Sequence, residues 1–127
     1  MLSHVEIYVS RLESSTAFWE RLLLDLGYEP FQSWTEGRSW KLGETYVVFV
    51  QAPADTLAAG YDRRRIGLNH LAFHAASRKQ VDDLTQSLRD RGIRILYEDR
   101  HPHAAGDDRY TVFFEDPDGI KVEIVSE

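Results

Sequence analysis

Two histidines, four residues apart, interrupt the otherwise apolar run GLNHLAFHAAS at residues 67–77. They are His70 and His74, and Asn69 stands just ahead of the first. An imidazole in such a run is a hydrogen-bonded core group, a proton carrier or a metal ligand. Near the start of the chain, HVEIYVS opens with His4 in the same way. Read with the two-residue period of a strand, His4, Glu6 and Tyr8 share one face, and so do His70, Ala72 and His74. A single inward histidine is usually a core residue. Histidines opening equivalent strands twice point instead to two imidazoles serving one ion. The chain has no cysteine, which excludes thiolate catalysis, disulfides and sulfur-ligated metal sites. A carboxylate partner is available at Glu123 in GIKVEIVSE, on the face opposite Val122 and Ile124. Taken alone, Glu123 reads as an exposed residue of an edge strand.

Strand, helix, strand and hairpin follow each histidine in turn. After HVEIYVS a helix is expected from Leu12 to Leu26, and after HLAFHAAS another from Lys79 to Arg91. Ser10-x-x-Glu13 and Ser77-x-x-Gln80 have capping-box spacing at the two helix starts. Phe18, Leu22 and Leu26, with Trp19 and Leu23, form an apolar stripe in the first helix; Val81, Leu84 and Leu88 form a thinner one in the second. Gly27 and Gly92 end the helices. A strand comes next (YEPFQSW, then IRILYED), followed by a hairpin: SWKL-GE-TYVVFVQ in the first half, YTVFFE-DPDG-IKVEIV in the second. The chain therefore reads as one domain over 1–127 made of two βαβββ modules, 1–51 and 67–127, joined by a linker at 52–66.

A 127-residue chain with 43% hydrophobic and 28% charged residues suits a single globular core. Its net charge of −6 argues against a nucleic-acid partner. The basic run Arg63-Arg64-Arg65, beside Asp62, reads as a solvated loop; otherwise it would attract an anionic substrate tail or a partner. The longest apolar run, Tyr46 to Val50, is too short to span a bilayer, so no membrane partner is expected. The patterned HVEIYV begins almost at Met1 and leaves no room for a signal peptide, which makes a cytoplasmic address the expectation.

These features resemble the vicinal-oxygen-chelate superfamily of glyoxalases, bleomycin-resistance and fosfomycin-resistance proteins, extradiol dioxygenases and methylmalonyl-CoA epimerase. The resemblance is carried by SHVEIYVSRLESSTAFWERLL, GLNHLAFHA and FFEDPDGIKVEIV, the last being the most specific. It implies an α+β fold in which two βαβββ modules form a cup-shaped mixed sheet with helices outside. It also implies a divalent metal (Mn, Fe, Ni or Zn) held by His4, His70 and Glu123. Many relatives share that site between subunits, so a homodimer is expected, with His4 of one copy meeting His70 and Glu123 of the other.

The family often adds a Glu or Gln on the last strand of the first module. Counted from the hairpin glycines, Val48 stands there, and Gln51, three positions on, faces the other way. Three protein ligands are therefore expected. Glyoxalase I and the epimerase use four, whereas fosfomycin thiol transferases use the two-His-one-Glu set. Departures from those transferases also stand out. Glu6 occupies the place of a Thr, Phe113 that of a substrate-touching Tyr, and no arginine segment follows Glu123.

Glu6 is the catalytic candidate: on His4's face, it could complete the coordination, act as general base or orient a ligand, or simply reach solvent. Trp34, Tyr46 and Phe113 are candidates for contact with substrate. Trp40, like Trp34 and Tyr46, resembles either the aromatic wall of the cup or ordinary core. His74 lies roughly 13 Å along the strand from His70, too far for the same ion, and reads as a core or pocket-wall histidine. His101 and His103 fall in a Pro/Gly loop near the expected substrate position.

Two imidazoles and a carboxylate leave adjacent positions open on a first-row ion, where a substrate can chelate through neighbouring oxygens. The function implied is a metal-dependent lyase or a transferase adding thiol or water, stabilising an enolate or alkoxide on a small substrate. The alternatives are an Fe(II) ring-cleaving dioxygenase of the extradiol type, or a drug-sequestering protein of the bleomycin-resistance type that is no enzyme.

Overall fold

The computed structural model describes residues 1–127. The first half runs β1 (His4–Val9), α1 (Leu12–Asp25), β2 (Glu29–Trp34), β3 (Gly37–Leu42) and β4 (Thr45–Gln51). A short 3-10 helix (Ala54–Ala59) leads to β5 (His70–His74), α2 (Arg78–Asp90), β6 (Ile95–Leu96), β7 (Tyr110–Glu115) and β8 (Lys121–Ser126). The chain is α+β, with two four-stranded mixed sheets of matching order, β1-β4-β3-β2 and β5-β8-β7-β6. It forms two compact units, Met1–Tyr61 and Asp62–Glu127.

Alternation along each strand sorts the two faces of each sheet. In unit one, Ile7, Val9, Val47 and Phe49 are buried, and α1 covers β4 and β3 with Phe18, Trp19, Leu22 and Leu23. Trp19 stacks on Phe49 with ring centroids 4.7 Å apart, and Trp40 lies 6.0 Å from the same ring. Trp40 is thus core, not part of a substrate wall, because its register partner Val47 also belongs to the buried set. In unit two, Phe73, Val112, Phe114, Val122 and Ile124 meet Val81, Leu84, Thr85 and Leu88 of α2.

One helix start is as expected and the other is not. Ser77 caps α2, accepting from Gln80 N at 3.1 Å, while the Gln80 side chain accepts from Ala76 N at 2.7 Å. At α1 the N-cap is Arg11, with no side-chain cap of its own. The first helical N–H, of Leu12, donates to Gln51 Oε1 at 2.9 Å, and Gln51 Nε2 donates to Ser10 O at 2.8 Å. A residue at the end of β4 thereby caps a helix 39 positions earlier in the chain, and the capping box at Ser10 does not form.

The strand expected over IRILYED is only two residues long. Tyr97 takes φ 56, a left-handed conformation that bends the backbone out of any ladder and is unusual for a bulky side chain. The DPDG hairpin is tied by Asp116, whose Oδ1 accepts from the backbone N–H of Asp118 and Ile120, each at 2.9 Å. No helix is long and apolar enough to cross a membrane.

Candidate active site

Glu123 is not an edge residue: β8 lies between β5 and β7, and Glu123 is only 5% exposed. Its Cα partners are Ala72 on β5 and Phe113 on β7. Thr111 Oγ1 lies 3.2 Å from Glu123 Oε1, and Oε2 is turned toward His70 Nε2 at 3.3 Å.

The tautomer of His70 follows from its neighbours. Asn69 Nδ2 donates to the carbonyl of Arg63 at 3.3 Å, which leaves Asn69 Oδ1 facing His70 Nδ1 at 2.8 Å. An amide oxygen only accepts, so Nδ1 carries a proton. Nε2 faces the Glu123 carboxylate at 3.3 Å, a distance that a shared proton or a bound cation would bridge. An imidazole with its second nitrogen pinned is the usual form of a metal-ligating histidine. The N/O donor set suits a divalent first-row ion.

In unit one, Ser3 Oγ lies 3.0 Å from His4 Nδ1, which repeats the Asn69–His70 arrangement with a residue one position ahead. Tyr46 stacks on His4 at 4.6 Å with rings 9° apart, and Phe31 meets Tyr46 edge-on at 5.1 Å. His4 and Glu6 open into a cavity of about 480 Å³ lined also by Gln32, Trp34, Tyr46 and Val48. Gly37 leaves room for the Trp34 ring, since a Cβ there would lie 2.3 Å from it. Gln32 is fixed by Ser39, which accepts from its N–H at 2.9 Å and donates to its Oε1 at 3.1 Å.

The structure thus joins His70 to Glu123 in one unit and gathers His4, Glu6, Trp34 and Tyr46 around a cavity in the other. No group of three or more His, Asp or Glu side chains is assembled within the chain. Phe113 is buried, with its ring edge-on to His70 at 6.2 Å. His74 is exposed rather than core, at the end of β5 where the chain leaves for the Ser77 cap. His103 stitches its loop, with Nδ1 2.8 Å from Arg109 O. Burial, then the Arg89 charge, hold the His101 pKa below the ordinary histidine value. Within the Arg63-Arg64-Arg65 run, Arg64 pairs with Asp62 in solvent and Arg63 with Glu115 at 3.4 Å.

Two residues near this site carried no signal in the sequence. Lys121, beside His70 in the ladder, places its Nζ 3.1 Å from the Tyr97 hydroxyl. Tyr97 in turn packs edge-on against Phe113 at 5.3 Å. That hydrogen bond, with the charges of Lys121, Arg63 and Arg100, lowers the Tyr97 pKa below the ordinary phenol value. Asn69, by contrast, was visible as a polar residue directly before a strand histidine.

Two βαβββ units, each opening on a buttressed histidine, with a buried carboxylate beside the second, define the architecture of one superfamily. The chain belongs to the Glyoxalase/Bleomycin resistance protein/Dioxygenase superfamily, whose family model matches residues 1–124. It is 54% identical over 125 residues to the uncharacterized protein YqjT of Bacillus subtilis (strain 168), covering 98% of both chains. A crystal structure of a provisionally named glyoxalase from Bacillus halodurans is 60% identical, with TM-score 0.98 over 100% of this chain and 96% of that one. A glyoxalase/bleomycin resistance protein from Albidiferax ferrireducens T118 is 25% identical, with TM-score 0.77 over 99% and 98% of the two chains.

Proposed function

We propose that this chain is a metal-dependent enzyme that binds a small substrate through two neighbouring oxygens and stabilises the negative charge that develops on them. His4, His70 and Glu123 would hold the ion. No unit alone offers all three, so the reading includes a homodimer in which unit one of one copy completes unit two of the other. The observation that carries the proposal is His70 Nε2 turned on the buried Glu123 Oε2 at 3.3 Å, with the other ring nitrogen held by Asn69. A divalent cation there supplies Lewis acidity toward a developing enolate or alkoxide.

The chain's own groups divide the remaining work. Asn69 and Ser3 would hold the Nδ1 atoms of the two histidines and so aim their Nε2 atoms. The Thr111 hydroxyl, shared between Ile124 O at 3.0 Å and Glu123 Oε1 at 3.2 Å, packs beside the carboxylate. Trp34, Tyr46 and Gln32 give the substrate an aromatic wall with one amide for orientation. Such a site suits a lyase or the addition of thiol or water to an epoxide. The same donor set also supports Fe(II) ring cleavage of the extradiol type, and the aromatic cavity also suits sequestration of a drug without catalysis.

The test is a screen of thiol hemiacetal, epoxide and catechol substrates on protein stripped by chelator and reloaded with Mn²⁺, Ni²⁺, Zn²⁺ or Fe²⁺. Turnover that vanishes on stripping and returns on reloading supports the proposal. Ring cleavage with Fe²⁺ alone would favour the dioxygenase. Tight, metal-independent binding of an aromatic drug without turnover would favour sequestration and end the catalytic reading.

A further inference from the structure

We infer that Glu6 is a metal ligand, supplying from β1 the carboxylate that β4 lacks. The inference rests on the metal site proposed above and extends its ligand set. In unit two, His70 pairs with Lys121 and Ala72 with Glu123. In unit one, His4 pairs with Tyr46 and Glu6 with Val48, on strands of the same order and direction. Val48 is therefore the counterpart of Glu123, and Glu6 the counterpart of Ala72. Each unit carries one glutamate on the same rung of its ladder and the same face. Only the strand differs, and in each case the glutamate's neighbour is a small or medium apolar residue.

Directly opposed residues of neighbouring strands hold their Cβ atoms about 5 Å apart. A glutamate side chain reaches across that distance, so the Glu6 carboxylate can stand over Val48 where a β4 glutamate would place its own. Val48 is 3% exposed and lines the same cavity as Glu6 and His4. No ion pair or hydrogen bond of the chain engages Glu6. The role of orienting His4 is already filled, since Ser3 holds its Nδ1. A carboxylate without a partner, on the face of a buttressed histidine and beside the apolar Val48, is placed to meet a cation.

Mn²⁺ and Co²⁺ binding to the full chain tests this, with unit two as the template for a rescue. Glu6→Ala should weaken Mn²⁺ binding by at least the roughly 10–100-fold that loss of an outer partner costs. It should also strengthen the visible absorption of bound Co²⁺, as a lower coordination number does. Adding Val48→Glu to Glu6→Ala rebuilds the Ala72–Glu123 arrangement in unit one and should return affinity and spectrum toward wild type. Because Val48 is buried, circular dichroism must first show that the double variant folds. If it does not, Glu6→Gln supplies the second readout: the Co²⁺ spectrum changes if Glu6 ligates and stays constant if it does not. Wild-type affinity and spectrum in Glu6→Ala, or a folded double variant without recovery, would overturn the inference. Wild-type protein that takes up no metal would instead overturn the underlying metal site.

Discussion

The two units share a ladder but use it differently. At the rung of the carboxylate, unit two sets Ala72, Glu123 and Phe113 side by side, whereas unit one sets Glu6, Val48 and Ser39. Phe113 fills the space beside its glutamate. Ser39 instead bonds to Gln32, which lines the cavity with Trp34 and Tyr46. One copy of the repeat is thus packed around a fixed acid and the other is hollowed beside a free one. The proposed function gives unit two the role of anchor for the ion and unit one that of receiver for the substrate.

The cores differ too, and the largest expected effect on folding lies there. Trp19 of α1 is fully buried against Phe49, while Thr85, at the matching place of α2, turns its hydroxyl back to the Val81 carbonyl at 2.7 Å. Trp19→Ala should cost about 3–5 kcal/mol in urea unfolding. Thr85→Ala should cost far less. Comparable losses would mean that the aromatic cluster does not dominate unit one.

The buttresses of the two histidines come next. Asn69 is held by Arg63 O and can only accept from His70, whereas Ser3 has a rotatable hydroxyl. Asn69→Ala should weaken Mn²⁺ binding by about 10–100-fold in calorimetry. Ser3→Ala should do less, and the reverse order would break the proposed distinction between anchor and receiver.

Helix caps offer a smaller contrast. Removing the long-range cap by Gln51→Ala and the local one by Ser77→Ala should each cost about 1 kcal/mol of unfolding free energy. Gln51→Ala also removes the Nε2 donor to the Ser10 carbonyl, so it should be the more damaging of the two.

The phenols give the finest test. Burial raises the Tyr28 pKa in unit one, and the Lys121 hydrogen bond lowers that of Tyr97 in unit two. A neighbouring cation favours phenolate, so Tyr97 should ionise at lower pH than Tyr28. In the tyrosinate ultraviolet band, subtracting Tyr97→Phe from wild type isolates the early phenol, and Lys121→Met should move it to higher pH. No movement would mean that Lys121 does not govern Tyr97.

Much of this was readable from residue order because strands and helices write their periods into the chain. Alternation places Glu123 opposite Val122 and Ile124, and the hairpin glycines align Val48 with Glu123. The unreadable parts depend on contacts between distant residues. Gln51 carries no mark of its capping role because its partner, Leu12 N, lies 39 positions away in the chain. Tyr97 carried no mark of its left-handed backbone. His74 looked like core because its strand neighbours are apolar, yet period-2 geometry turns it to the exposed side.

In the proposed cation site His70 and Glu123 form the fixed half, and metal uptake by the purified full chain is the decisive test. Mn²⁺ or Ni²⁺ should bind wild type stoichiometrically. His70→Ala and Glu123→Gln should abolish that uptake, while His74→Ala leaves it intact. Absence of uptake by wild type, or equal loss in the His70 and His74 variants, would contradict the account.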